Sequence, residues 1–375
     1  MYAIEPDRSD PSRNTACNIA YVLSRLSDIA ALGVDGIWIR NLSSHADFDR
    51  LVGRAHAFGL RVVGGGEQLR DTAARAHTPA VNAARFETKQ AIDKLLEAAE
   101  SWLRQGADGF CLGEIDWLVN DPAPLQPRTR ALLGRLRSLL EHYPGKLAIG
   151  RASVQPGAFE RIAQHAAGAD HLRLACMSSS LQGPLDWSSL RHLIYETASL
   201  WQPETICWQL DQYGIVGTGD DQESTWHDAH PGAAALGLAL LLSLPGSAIL
   251  NVGMQFGERF GPSRPARASL QRFMAWRRSH PILRYGAIRP LILPQPMVGF
   301  ERYGEGPRRI LAVFNISPLP TRFAVSDYTI IEVHSESGFS PTVAGAEVLL
   351  PPYGGFFASV LPVWEWQEEA ALAFV

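Results

Sequence analysis

Along residues 1–284, short apolar runs that end at small or polar residues alternate with longer stretches whose apolar positions recur at helical spacing. Five strands are predicted at Tyr2-Ala-Ile-Glu5, Gly36-Ile-Trp-Ile-Arg40, Leu60-Arg-Val-Val63, Gly109-Phe-Cys-Leu112 and Lys146-Leu-Ala-Ile149. Three more follow at His171-Leu-Arg-Leu-Ala-Cys176, Thr205-Ile-Cys-Trp208 and Ala248-Ile-Leu-Asn251. Between them residues 18–32, 48–58 and 89–105 have the character of amphipathic helices; the second places Phe48, Leu51, Val52, Ala55 and Ala57 close to one stripe. Eight strands in this alternation match the count of a (β/α)8 TIM barrel, while a doubly wound parallel sheet uses the same rhythm.

After residue 284 the period changes to strands separated by turns: Ile288-Arg-Pro-Leu-Ile-Leu, Val298-Gly-Phe-Glu-Arg, Arg309-Ile-Leu-Ala-Val-Phe-Asn, Tyr328-Thr-Ile-Ile-Glu-Val and Glu347-Val-Leu-Leu. This predicts an antiparallel β-sandwich. The expected organisation is therefore a barrel over residues 1–284, a C-terminal sandwich over 285–362 and a tail over 363–375 that carries Trp364 and Trp366.

Composition narrows the function classes. Hydrophobic residues are 46% and charged residues 19% of the 375, enough for a sizeable core. A formal net charge of −4 argues against a nucleic-acid partner, which calls for a basic stripe. Lys89, Lys94 and Lys146 are the only lysines, so arginine supplies the remaining basic residues, a bias of GC-rich bacterial coding. Cys17, Cys111, Cys176 and Cys207 are scattered without metal-ligand spacing and fit free thiols in a reducing cytosol. No charged-then-apolar leader opens the chain, and the longest apolar stretch, residues 232–244, is stopped by Pro245-Gly246 before it could span a bilayer. These features predict a cytoplasmic protein with no membrane partner, no metal and no cofactor.

Several strings become specific in this order. They are Leu32-Gly-Val-Asp-Gly-Ile-Trp-Ile, Asp47-Phe-Asp-Arg-Leu-Val with Ala55-His-Ala-Phe-Gly-Leu-Arg-Val, and Gly106-Ala-Asp-Gly-Phe. Leu244-Pro-Gly with Val252-Gly-Met-Gln-Phe-Gly, Ala275-Trp-Arg-Arg-Ser-His-Pro, and Leu350-Pro-Pro-Tyr-Gly-Gly-Phe-Phe follow. Together they resemble glycoside hydrolase family 13, the α-amylase and α-glucosidase family, over roughly residues 2–360. The resemblance implies a retaining mechanism with two carboxyl groups about 5–5.5 Å apart, one nucleophile and one acid/base. It also implies a long excursion after the third strand, here reduced to residues 70–81.

At the positions that carry the chemistry the chain departs from the family. The fourth-strand pattern Gly-Phe-Arg-x-Asp becomes Gly109-Phe-Cys-Leu-Gly113, so Gly113 stands at the nucleophile and Cys111 at its supporting arginine. The acid/base glutamate after the fifth strand becomes Arg151. The seventh-strand Asn-His-Asp keeps only Asp211, in Gln209-Leu-Asp211. The third-strand Asp and Asn-His become Gly65 and Leu69-Arg70, and Gln255 replaces a glutamate near the eighth strand. Glu114 follows Gly113, but strict alternation along a strand aims it away from the pocket unless a bulge re-aims it.

Glu67, Arg70, Glu114, Arg151, Asp211 and Gln255 all fall at C-terminal strand ends, where barrels place their sites. Two readings are open for them. One is a residual substrate-binding pocket, made more basic by Arg70 and Arg151, that takes an oligosaccharide or an anionic sugar. The other is an ion-pair network in which Asp211, Glu67 or Glu114 neutralises the arginines. The segment Asp220-Asp-Gln-Glu223 with Trp226-His-Asp228-Ala-His230 fits a solvated loop better than a metal site. Of Trp38, Trp117, Trp208 and Trp226, all candidates to stack on sugar rings, Trp38 lies inside a strand and suits core packing. The resulting expectation is a catalytically inactive relative of family 13 that works by binding. An intact family 13 homologue or a second copy of the chain is its expected partner. The alternatives are a divergent α-glucosidase or transglycosylase using Asp211 with Glu114 or Glu67, and a solitary sugar sensor.

Overall fold

Eight parallel strands close into a barrel in a computed structural model of the chain, in the order β1-β2-β3-β4-β5-β6-β7-β8. The structure describes residues 1–4, 19–39, 48–65, 89–114, 127–154, 172–178, 186–199, 206–209, 231–251, 264–335 and 338–363. The strands are β1 (Tyr2–Ile4), β2 (Gly36–Ile39), β3 (Arg61–Gly65), β4 (Gly109–Glu114), β5 (Leu147–Val154), β6 (Leu172–Ser178), β7 (Ile206–Gln209) and β8 (Ser247–Asn251). Each lies where the apolar runs predicted it. Closure is made by β1, whose Tyr2 and Ala3 pair with Leu250 and Asn251 of β8 and also with Ile37 and Trp38 of β2.

Helices α1 (Ile19–Ala31), α2 (Phe48–Ala57), α3 (Lys89–Arg104) and α4 (Pro127–Glu141) intervene between these strands. On α2 the buried residues Phe48, Leu51, Val52 and Ala55 are the predicted stripe, without Ala57. The indole of Trp102, on α3, packs edge-to-face on Phe48 with ring centroids 4.8 Å apart. It also lies against Gly64 of β3, where a Cβ would overlap its ring. The further helices are α5 (Trp187–Ala198), α6 (Pro231–Ser243), α7 (Arg264–Ser279) and α8 (Pro281–Tyr285). Helix α5 starts because Asp186 leaves the helical region and its carboxylate accepts the Ser189 N–H at 2.7 Å. No helix among the described residues is long and apolar enough to cross a membrane.

Alternation along the strands fills the barrel interior with Trp38, Val63, Cys111, Ile149, Cys207 and Ile249. At its N-terminal end the barrel is drawn together by Asp108, just before β4. This carboxylate accepts the Val62 N–H at 2.8 Å, Arg61 Nη1 at 3.0 Å and Lys146 Nζ at 3.1 Å, and lies 2.7 Å from His56 Nε2. One side chain thus ties the starts of β3, β4 and β5 to α2. Burial alone would raise the Asp108 pKa, but the Val62 amide, His56, Lys146 and Arg61 together bring it down to about 2.

The antiparallel part of the chain forms two sheets. Strands β9 (Ala287–Pro290), β10 (Met297–Tyr303), β11 (Arg309–Asn315), β13 (Tyr328–Val333) and β16 (Gly355–Pro362) make a sheet of order β13-β16-β11-β10-β9. Strands β12 (Thr321–Ala324), β14 (Thr342–Ala344) and β15 (Glu347–Leu350) make the second, of order β12-β15-β14. Leu311, Val313, Phe356 and Ala358 of the first sheet share a core with Phe323, Val348 and Leu350 of the second, which makes the pair a sandwich. Residues 288–293 were expected to be one strand, and β9 is shorter because Pro290 cannot donate to a ladder.

Two buried charges sit side by side on β10 and point to opposite faces. Glu301 takes Arg289 Nη2 at 2.7 Å and the Tyr328 hydroxyl at 2.8 Å. Burial and that contact push the Tyr328 phenol above its ordinary range. Arg302, fully buried, donates to the carbonyls of Ser243, Gly286 and Ala287 at 2.6, 2.7 and 3.2 Å. Burial, together with the neighbouring Arg277, pushes its guanidinium down to about 9. Contacts group the chain into two units, one of residues 1–177, 205–209 and 248–263, the other of residues 178–204, 210–247 and 264–375.

Asp108→Asn is expected to lower the melting temperature at pH 7 by on the order of 5 °C, since it strips a buried acceptor from Lys146 and Arg61. The Asp108 pKa lies at about 2 in the fold against 3.8 for the free group. Its contribution is therefore complete above pH ~4 and fades as pH falls toward ~2. Circular-dichroism melts should show the wild type and variant converging across that window; a gap that stays constant would remove the carboxylate's role.

Candidate functional site

The C-terminal strand ends, where barrel sites are built, follow from the inner-face residues by steps of two. After Val63 comes Gly65, after Cys111 comes Gly113, and after Ile149 comes Arg151. The first two of these positions carry no side chain. The third carries a guanidinium and is buried, only 4% exposed.

Gly65 ends β3 with φ +89°, a left-handed conformation that side chains disfavour. Its carbonyl accepts the Trp38 indole N–H at 3.0 Å, and a Cβ added to it would stand 3.2 Å from the Cys111 carbonyl oxygen. The resemblance to family 13 implies an aspartate at this place. Here the backbone has settled where only glycine is unstrained.

Cys111, at the implied position of the supporting arginine, is buried outside any disulfide and packs with Trp38, Ile149, Cys207 and Ile249. These packing partners are apolar, a setting in which a guanidinium is costly to bury. Trp38 and Trp208 are fully buried and serve packing, so neither ring has a face for a sugar. Cys207 is likewise buried and outside any disulfide. Among the described residues no group of His, Cys, Asp and Glu could hold a metal ion.

Beyond Cys111 the regular ladder breaks. Gly109, Phe110 and Cys111 pair in sequence with Leu147, Ala148 and Ile149, but the next pair is Glu114 with Arg151. Three steps on β4 therefore answer two on β5, the signature of an extra residue in one strand. The expectation that alternation turns Glu114 away rested on an unbroken ladder. The irregularity removes that premise, and Glu114 takes the register position that Gly113 would have held. Gly113, a glycine inside a strand, is the residue type that often marks such a break, but the register itself is a relation between two strands.

Glu67, Arg70, Asp211 and Gln255 lie outside the described residues, as do the shortened excursion at 70–81, the acidic segment at 220–230, Trp117 and the tail beyond Val363. Sequence reasoning treated Gly106-Ala-Asp-Gly-Phe only as a likeness and passed over Asp108 as a charge centre. The signal was available: His56, Arg61 and Lys146 each stand just ahead of, or at the start of, a predicted strand.

No protein-family model matches the chain, and no curated protein matches it in sequence. Solved structures do match over almost the whole length. An α-glucosyl transfer enzyme aligns with TM-score 0.69 and 18% identity, covering 96% of this chain and 98% of that one. The trehalose-6-phosphate hydrolase of Bacillus licheniformis aligns with TM-score 0.68 and 12% identity, again over 96% and 98%. The trehalulose synthase of Pseudomonas mesoacidophila gives TM-score 0.68 and 13% identity over the same shares. This is the fold of glycoside hydrolase family 13. The family 13 barrel and its C-terminal sheets are thus present, as the sequence motifs implied, at identities that speak for the fold and leave the chemistry to the residues themselves.

If the glycine at the end of β3 is a backbone requirement, restoring the family 13 residue will harm the fold. Gly65→Asp should cost about 1–2 kcal/mol, from the left-handed backbone and the crowding against Cys111. Urea unfolding followed by tryptophan fluorescence measures it; an unchanged midpoint would mean that the turn relaxes freely.

Proposed function

We propose that the chain is a catalytically inactive protein of the family 13 fold that acts by binding, as a partner or regulatory subunit in carbohydrate metabolism. What carries this reading is the pair of residues at the reacting positions. Gly113 stands where the resemblance implies the nucleophile, and glycine has no group to attack with. Arg151 stands where it implies the acid/base, and a guanidinium is a far weaker acid than the carboxyl group that hands a proton to a leaving oxygen. The apolar setting of Cys111 supports the same view, since the strand no longer provides for the arginine that would hold a nucleophile in its charged form. Solved structures of similar fold that are named for α-glucosyl transfer and for trehalose-6-phosphate hydrolysis favour a carbohydrate as the ligand. Buried cysteines outside any disulfide at positions 111 and 207 suit a reducing compartment, and the cytoplasm is the proposed location.

A second reading has an observation of its own. The break in β4 sets the backbone of Glu114 in register with Arg151, and Glu114 is the carboxylate residue next in sequence to the vacated nucleophile position, as a divergent glycosidase or transglycosylase would need. Hydrolysis separates the two. Purified protein is expected to release no p-nitrophenol from aryl α-glucosides above a buffer blank, because loss of such groups costs on the order of 10⁴–10⁶ in rate. A turnover of even ~1 s⁻¹ lies in the ordinary enzyme range and would establish the divergent enzyme instead. Gly113→Asp alone should restore nothing, since Arg151 still offers no acid.

The subunit reading is tested by assembly. Size exclusion with light scattering should give a complex when the chain is mixed with an intact family 13 homologue encoded beside it, or a dimer when it is alone. A strict monomer that ignores such a homologue yet binds maltotriose would be a solitary sugar sensor.

A further inference from the structure

Helix α5 turns Leu190, Leu193, Ile194 and Thr197 into the fold and leaves its other side open. On that side Trp187, Arg191 and Tyr195 follow one another at four-residue steps, each above the last along the helix. The Arg191 guanidinium lies over both rings, its central carbon 5.2 Å from the Trp187 centroid and 5.2 Å from that of Tyr195. Trp187 is itself fixed, since its indole N–H donates to the Met297 carbonyl at 2.8 Å. Met297 opens β10, directly after the connection that carries Ile292, which is 90% exposed. The carboxylates of this helix are engaged elsewhere: Asp186 caps its start, and Glu196 lies 3.3 Å from His192 Nε2. Among the described residues Arg191 has no hydrogen bond or ion pair, and its charge meets only the two rings.

We propose that this face of α5 docks a protein partner that presents an Asp or Glu carboxylate beside an apolar side chain, with Arg191 as the anchor. The inference deepens the binding function proposed above and rests on it for the existence of a partner. Stacking occupies the faces of the guanidinium and leaves its N–H edges free, the fork that a carboxylate meets with two parallel hydrogen bonds. The clamp has also removed most of the side chain's freedom, so little remains to be lost when a partner arrives. Trp187, Tyr195 and Ile292 supply apolar area around that charge, and Trp, Tyr and Arg are the residue types in which interface energy concentrates. A phosphate ion would use the fork but none of this area. A second copy docked by two-fold symmetry would set the same face against itself and bring two Arg191 side chains together, so the occupant is a different chain. The net charge of −4 does not oppose this at contact range, because salt screens charges beyond about 8 Å.

Fluorescence anisotropy with labelled octapeptides tests the face. The wild type should bind a peptide of alternating glutamate and leucine and ignore its glutamine counterpart. Arg191→Gln should keep the wild-type melting temperature, because the side chain is exposed, and weaken peptide binding by about tenfold or more. Arg191→Lys should not restore it, since an ammonium has no planar fork. Tyr195→Leu keeps the charge, opens the clamp and should weaken binding severalfold. No binding by the wild type, or equal binding by Arg191→Gln, overturns the proposal. Pyrophosphate that displaces the peptide at equal concentration makes this a phosphate site and overturns the protein partner. A wild-type dimer that Arg191→Gln dissociates puts a second copy on the face and also overturns it. Co-elution with an intact family 13 homologue encoded beside the chain separates this inference from the functional reading. Loss of that complex in Arg191→Gln supports the face. A complex that survives the change keeps the subunit role and overturns the face, while peptide binding without any complex keeps the face and removes the subunit role.

Discussion

Everything at the mouth of this barrel depends on the parity of its strands. Eight strands closed on themselves expose alternate residues to one shared lumen, and that lumen must be filled. Trp38, Val63, Cys111, Ile149, Cys207 and Ile249 fill it, and none of them carries a formal charge. Whatever follows two residues later on each strand is committed to the mouth before any ligand is considered. On β3 and β5 the count leads to Gly65 and Arg151. On β4 the count is broken, and the residue brought into register is the neighbour of the one that simple alternation selects.

This explains why the fold was so much more legible than the site. The barrel strands are announced by short β-branched or apolar runs such as Gly36-Ile-Trp-Ile, and the helices by stripes such as Phe48, Leu51, Val52 and Ala55, because burial writes its period directly into sequence. In the sandwich β12 and β14 escaped notice. Thr342-Val-Ala is wholly exposed and carries no buried face to alternate against, and Thr321-Arg-Phe-Ala buries only Phe323. Strand β16 escaped for the opposite reason. Gly355-Phe-Phe-Ala is buried on both faces inside its sheet, between β13 and β11, so it has no polar alternation either. The site depends on single-residue register, which is a relation between two strands and is written in neither. The charge centre at Asp108 joins two separate parts of the chain, His56 and Arg61 around one turn and Lys146 further on, each marked by a basic residue near a strand start.

The two charges on β10 show how a sheet can bury ionic groups by different means. Glu301 is matched by Arg289 and by the Tyr328 hydroxyl, an ordinary pairing of opposite character. Arg302 has three carbonyls instead, one of them from the last residue of α6, where the helix leaves its carbonyls unsatisfied and the dipole is negative. Partial charges from backbone can thus hold a full charge, provided that several converge.

The charges that tie the barrel together stand at the opposite end of the strands from its mouth. Asp108 anchors the entry to β4, while Gly113 and Glu114 lie at its exit, about 20 Å along a six-residue strand. Mutational load is therefore separated by geography. Substitutions at the exit leave the anchoring network untouched, so a lineage relieved of selection for turnover could drift there through many residue types without losing a foldable chain. A barrel of this design can forget a reaction quickly and keep its shape indefinitely, which leaves it available as raw material for recognition.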